Sequence, residues 1–221
     1  MSGYGVDIAR ERADDLDRRL LAELAKEPEK AARVLDLACG SGGMSAKIAK
    51  LGATVVAVDI EDYQQNFAEI REKLAVPEDK LCFVQADLAK LNLEDFGQFD
   101  FVLWQRAIHY LPHQTAKDFL RRLRGVVSKK LFLSATGLET AVAEYYPARG
   151  ERPQNRFAVL GPLGRALFFI DQPVCLYRPE ELTELLREAG WQVEECWVSA
   201  FGNIKLTAKP DKALDKPENL L

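Results

Sequence analysis

Five short apolar runs, at 33–37, 54–58, 81–86, 100–104 and 131–135, alternate along this chain with stretches whose apolar residues recur at helical spacing. Continuous apolar runs of this length are strands covered on both faces, and strand–helix alternation joins such strands in parallel. The pattern therefore predicts an α/β fold: a doubly wound, mostly parallel sheet with helices on both faces. Helices are expected at 9–26, where Ala13, Leu16, Leu20 and Leu24 share a face; after the glycine turn, through Met44, Ile48 and Leu51; at 63–75, through Phe67, Ile70 and Leu74; at 114–127; and at 179–189, opened by Pro179. Two further strands, near 191–199 and 203–208, are joined by a link containing Gly202 that is too short for anything but an antiparallel hairpin. That makes a seven-stranded sheet.

The 221 residues are 48% hydrophobic and 29% charged, with a formal net charge of −4, so one core can form without disulfides and the chain has no bulk attraction to phosphate backbones or anionic membranes. The apolar runs fall far short of the roughly 18 to 20 residues of a membrane span. The N-terminus is charged where a secretory signal would be apolar. Cys39, Cys82, Cys175 and Cys196 are scattered, and with only two histidines they suggest neither a disulfide framework nor a metal site. Reduced thiols and a cytoplasmic location are expected.

The segment VLDLACGSGG sets Gly40, Gly42 and Gly43 between a buried strand and a helix, where backbone can approach a ligand without obstruction by Cβ. A nicotinamide-binding turn would carry a third glycine at position 45, which here is Ser45, and no phosphate-loop lysine follows. Asp59 ends the second strand nineteen residues after Gly40, close to the spacing at which a carboxylate grips ribose hydroxyls. A ribose-containing ligand follows. Asp87 ends the third strand in the same way, at the carboxyl edge of the sheet where open α/β sheets bind ligands.

Asp36, Ala38, Gly40 and Gly42 resemble the D-x-G-x-G-x-G loop of the class I, Rossmann-like S-adenosylmethionine-dependent methyltransferases, over roughly residues 33–135. Ala38 departs from that family's first glycine by one methyl group. The resemblance implies a cofactor, S-adenosyl-L-methionine, with Gly40 and Gly42 facing its methionine part and Asp59, beside Ile60, on the ribose hydroxyls. It implies Asp87 on the adenine amino group with the Leu88 amide nearby, and Trp104 or Gln105 in the loop after strand four, although Trp104 suits a core equally well. Asp36 would act through the loop or on the cofactor's ammonium group. Residues 1–209 would then form one methyltransferase domain and 210–221 a flexible tail.

A sulfonium methyl is already activated, so such an enzyme chiefly aligns an acceptor and excludes water. Where the acceptor must lose a proton, His109 in AIHYL is the expected catalytic base, with a purely structural role for the loop as its alternative. The D/N-P-P-Y/F tetrapeptide of exocyclic-base methylases is absent after strand four, where WQRA stands. A basic run at 114–130 reads as a solvated helix face and lacks the interleaved aromatics of an RNA platform. The expected activity is therefore methyl transfer to an oxygen or nitrogen of a small-molecule acceptor, which is expected as the partner in preference to nucleic acid, and no membrane partner is expected. The alternatives are a protein or RNA methyltransferase and a non-catalytic cofactor-binding protein. The 43 residues at 136–178 are too long for a plain connection and are expected to be a lid that selects the acceptor. Tyr145, Tyr146, Phe157, Phe168, Phe169 and Tyr177 would enclose the acceptor, and Arg149, Arg152, Arg156 and Arg165 would bind an acidic group on it.

Overall fold

The computed structural model describes residues 3–4, 14–26 and 32–215. In chain order the elements are α1 (Asp15–Ala25), β1 (Arg33–Leu37), α2 (Gly43–Lys50), β2 (Thr54–Asp59), α3 (Gln64–Leu74), β3 (Leu81–Gln85), β4 (Phe99–Gln105), α4 (His113–Gly125), β5 (Val127–Ala135), α5 (Pro162–Phe168), α6 (Pro179–Glu188), β6 (Trp191–Val198) and β7 (Ile204–Pro210). The sheet runs β3-β2-β1-β4-β5-β7-β6, parallel except for β7, which is antiparallel to both of its neighbours. This is the expected doubly wound sheet with its closing hairpin.

Period-two alternation splits each central strand between two cores. Leu35 and Leu37 of β1 pack with Phe119, Leu120 and Leu123 of α4 and Leu182, Leu185 and Leu186 of α6. Val34 faces the other way, toward Leu16, Leu20 and Leu24 of α1, Met44 and Ile48 of α2 and Phe67 of α3. Asp14 caps α1: its carboxylate accepts the Asp17 N–H at 3.1 Å, and the Asp17 carboxylate accepts the Asp14 N–H at 2.8 Å. Buried Lys205 of β7 pairs with Asp14 and Asp15, and the Trp197 indole donates to Asp15 at 2.7 Å, which fastens α1 to the hairpin.

Several boundaries differ from the sequence pattern. α4 ends at Gly125, and β5 begins at Val127 rather than 131, because the Phe99 N–H donates to the Val126 carbonyl and Phe99 pairs with Val127. The lysines that hide this part of the strand are held at its edge: Lys129 meets Asp100, and Lys130 meets Glu194 and Glu23. β7 runs to Pro210, paired with Trp191, and a short 3-10 turn follows at Lys212–Asp215, so 210–215 are not a loose tail. Residues 216–221, and the start of the first predicted helix at 9–13, lie outside the described residues.

The 136–178 segment contains α5 and two 3-10 turns, which the sequence pattern does not show. It has its own small core, including Leu138, Tyr146, Leu160, Val174 and Leu176. Its two ends meet where the Leu138 N–H donates to the Tyr177 carbonyl at 2.9 Å.

Candidate active site

The carboxyl ends of β1, β2, β3, β4 and β5 open into one cavity of about 800 Å³, within the ~300–1,000 Å³ typical of small-molecule sites. The turn after β1 forms its floor. Ala38 there has φ 54°, the left-handed region that the family's usual glycine adopts without strain. The Cys39 N–H donates to the Val58 carbonyl at 3.1 Å, tying the turn to β2. Asp59 then closes the arrangement, its Oδ2 accepting the Gly40 N–H at 2.8 Å and its Oδ1 the Glu61 N–H at 3.0 Å. Burial raises its pKa above the usual carboxylate range, against the pull of the backbone amides that donate to it. At the end of β3, Asp87 accepts the Ala89 N–H at 3.0 Å and still lines the cavity.

Of the residues expected in the site, Ala38, Gly40, Asp59, Ile60, Asp87, Leu88, Gln105 and His109 line this cavity together. Asp36, Gly42 and Trp104 do not. Asp36 is buried beneath the turn and accepts the Ser45 hydroxyl of α2 at 2.5 Å, which anchors the helix that follows the glycines. Gly42 is needed for packing: a Cβ there would lie 2.8 Å from Phe67 Cζ and 2.9 Å from Ile70 Cδ1. Trp104 is fully buried on the α4 side, edge-on to Phe119 with ring centroids 5.1 Å apart, because strand alternation turns it away from the opening. Gln105 takes its place at the cavity, its side-chain amide bonded to the Asp17 carboxylate of α1.

His109 sits on the 3-10 turn after β4 and is nearly enclosed. Its Nδ1 accepts the Thr136 N–H at 3.3 Å, so in the neutral ring the proton is on Nε2, which lies 3.4 Å from the Thr136 hydroxyl. Burial, and secondarily the Arg106 charge, lower its pKa from 6.5 to about 3. A ring so hard to protonate is a weak base at neutral pH.

The 136–178 segment forms one wall of the cavity, but not with the whole set expected. Phe168 and Phe169 line it, while Tyr146 and Tyr177 are buried in the cores and Phe157 packs against the α4–α6 side. None of the four arginines reaches it. Arg156 is instead a buried brace, bonded to both Glu181 oxygens at 2.6 and 2.9 Å and to the Leu176 carbonyl at 2.8 Å. Lining residues that the motif reading missed include Tyr4, Arg106, Thr136, Phe201 and Asn203. Arg106 follows the fourth strand directly and was open to prediction from its place, whereas Tyr4 and Phe201 lie far from any motif.

A family model described as a methyltransferase domain matches residues 34–130, the span that holds the glycine turn, Asp59 and Asp87. Over that span the chain carries a methyltransferase domain, and its fold is that of the class I S-adenosylmethionine-dependent enzymes. Among curated members, the ubiquinone biosynthesis O-methyltransferase of Xanthomonas euvesicatoria pv. vesicatoria is 32% identical over 180 residues, covering 74% of this chain and 64% of that one. The putative methyltransferase YqeM of Bacillus subtilis is 33% identical over 103 residues, covering 46% of this chain and 39% of its own. The chain thus spans between 39% and 64% of the length of these methyltransferases. Burkholderia thailandensis 1,6-didemethyltoxoflavin-N1-methyltransferase, solved with 1,6-didemethyltoxoflavin and S-adenosylhomocysteine, shares the fold at a TM-score of 0.63 and 19% identity, over 89% of this chain and 78% of that one.

Proposed function

We propose that this chain binds S-adenosylmethionine and transfers its methyl group to an oxygen or nitrogen of a small-molecule acceptor. The observation that carries the reading is the single cavity in which Asp59, braced on Gly40, and Asp87 open into a further space walled by His109, Thr136, Phe168 and Phe201. A ribose-gripping carboxylate beside further space for an acceptor is what such a transfer needs. Bound S-adenosylmethionine supplies a methyl group already activated by the sulfonium charge. Asp59 holds the ribose hydroxyls, Asp87 and the Leu88 amide meet the adenine edge, Ile60 offers its exposed apolar face to the ring, and Gly40 leaves room for the methionine part. Ala38 lines the turn, and Gln105 is kept at the methionine end by Asp17. His109, held by Thr136, shapes the acceptor end of the cavity, and the apolar wall excludes water.

In this reading the described residues up to 209 act as one methyltransferase unit, with 136–178 as the wall that selects the acceptor. The basic run of α4 and β5 supports a small acceptor over a nucleic acid, because its charges are already engaged. Lys117 pairs with Glu188 at 2.5 Å, Arg121 with Asp118 at 3.2 Å, and the Arg122 and Arg124 guanidinium groups donate to the Leu91 and Asp211 carbonyls. No helix among the described residues is long and apolar enough to cross a membrane.

Calorimetry with S-adenosylhomocysteine, followed by transfer of labelled methyl from S-adenosylmethionine to metabolite, protein and RNA fractions, tests the reading. Micromolar binding and label in the metabolite fraction are expected. Label confined to protein or RNA overturns the small-molecule acceptor, and binding without transfer to any fraction leaves a non-catalytic binder.

A further inference from the structure

The charges around the cavity are unevenly divided. Four carboxylates line it, Asp59, Glu61, Asp87 and Glu139, and Arg106 is the one cationic side chain that does so among the described residues. Three of those acids stand at the tips of β2 and β3, where the cofactor half lies. Arg106 belongs to the opposite half. Its N–H points away from β1 to the end of β5, donating to the Ser134 carbonyl at 2.9 Å and the Ser134 hydroxyl at 3.1 Å. His109, bonded to Thr136 just beyond β5, is on the same side.

Arg106 also has φ 47°. A residue with a Cβ pays a steric penalty in the left-handed region, and such outliers persist where the surroundings over-determine them and cluster at ligand sites. Glycine or asparagine would hold this turn with less strain, so the turn itself does not call for arginine. Arg106 forms no side-chain hydrogen bond or ion pair among the described residues, and the half-enclosed cavity it lines is also lined by the apolar side chains of Leu111, Val142, Phe168 and Phe201. A planar cation of this kind matches a carboxylate through two parallel hydrogen bonds.

We propose that Arg106 anchors a carboxylate on the methyl acceptor, so that the acceptors are small organic acids with an apolar, ring-sized body. The inference rests on the methyltransferase reading and adds to it the class of acceptor. Both the acceptor and the methionine part of the cofactor could bring a carboxylate to this cavity, and the placement of Arg106 on the β5 side assigns it to the acceptor.

The test uses the protein loaded with S-adenosylhomocysteine and titrated, by saturation-transfer NMR and thermal shift, with aromatic and aliphatic hydroxy acids and their matched amides. The loaded wild type is expected to hold acids at least about tenfold more tightly than amides, the preference one charge-assisted pair supplies. Arg106→Gln should abolish that preference and Arg106→Lys should keep part of it, with S-adenosylhomocysteine affinity within about threefold of wild type in both. A loaded wild type that treats acids and amides alike, including by holding neither, overturns the proposal. So does a tenfold or greater loss of S-adenosylhomocysteine affinity in Arg106→Gln, which assigns the arginine to the cofactor's own carboxylate. Failure of the wild type to bind S-adenosylhomocysteine at all overturns the methyltransferase reading itself, and the acceptor class falls with it.

Discussion

Asp59 and Gly40, nineteen residues apart, meet at 2.8 Å where the Asp59 carboxylate accepts the glycine N–H, so one side chain both braces the turn and faces the cavity. Asp59→Ala should lose about 1 to 3 kcal/mol of S-adenosylhomocysteine binding. Asp59→Asn removes the charge while its amide oxygen still accepts the Gly40 N–H, at the cost of the Glu61 N–H bond, which its NH2 group cannot accept. An asparagine variant that binds as wild type does, measured by calorimetry, would remove the carboxylate charge from the recognition of the ribose.

The glycine turn should respond oppositely at its two ends. Gly42→Ala drives a methyl group into Phe67 and Ile70 at φ 84° and is expected to destabilise the fold by about 2 kcal/mol or more. Ala38→Gly removes the strain of φ 54° at some loss of unfolded-state restriction, for a net gain below about 1 kcal/mol. Urea unfolding of the two variants reads both signs, and a destabilised Ala38→Gly would contradict the strain argument.

His109→Asn should slow turnover about tenfold or more while S-adenosylhomocysteine affinity stays within about threefold. The shape of the pH–rate profile above pH 5 should not change, because a group with a pKa of about 3 is neutral throughout that range. Its depressed pKa also affects stability. The unfolded chain takes up the histidine proton near 6.5 and the folded one only near 3, so the stability contributed by the neutral ring is complete above 6.5 and is lost as pH falls toward 3. A nitrogen-15 titration that places the His109 transition near 6.5 would overturn both expectations.

Asp17 works in the opposite sense. Burial raises its pKa from 3.8 to about 6, so the folded state holds a proton there that the unfolded state has already released. Stability from this group is present below pH 4 and declines as pH rises from about 4 to about 6, by at most about 3 kcal/mol. Denaturation across that range should show a smaller decline in Asp17→Asn than in wild type. Equal slopes would mean that Asp17 titrates near its usual value.

The strands of the sheet and the meeting of Gly40, Asp59 and Asp87 at one cavity were legible because they rest on local signals: apolar runs of strand length, glycines between strand and helix, and an aspartate at the end of the next strand. Trp104 shows where such signals stop. Its position after the fourth strand suited both site and core, and only the pairing of Leu37 with Trp104 and of Gln105 with Ser134 decides which of the two neighbours points into the opening. The arginines of 136–178 looked free for recognition, yet Arg156 finds Glu181, twenty-five residues away, through a fold of the segment that no periodicity encodes. α5 escaped notice for a related reason. At seven residues it is too short to develop a periodic face.

β7 lies between β5 and β6, although it follows both in the chain. As the polypeptide leaves the ribosome, β6 emerges before the only strand with which it pairs, and β5 keeps an unpaired edge until β7 arrives from behind. The five parallel strands can gather early, but they do so with a row of free backbone groups that invites pairing with foreign strands. The emergence of residues 204–210 from the ribosome therefore sets the moment at which this edge of the nascent sheet is covered, and a ribosome stalled with that segment still inside it would hold out five strands with the β5 edge bare.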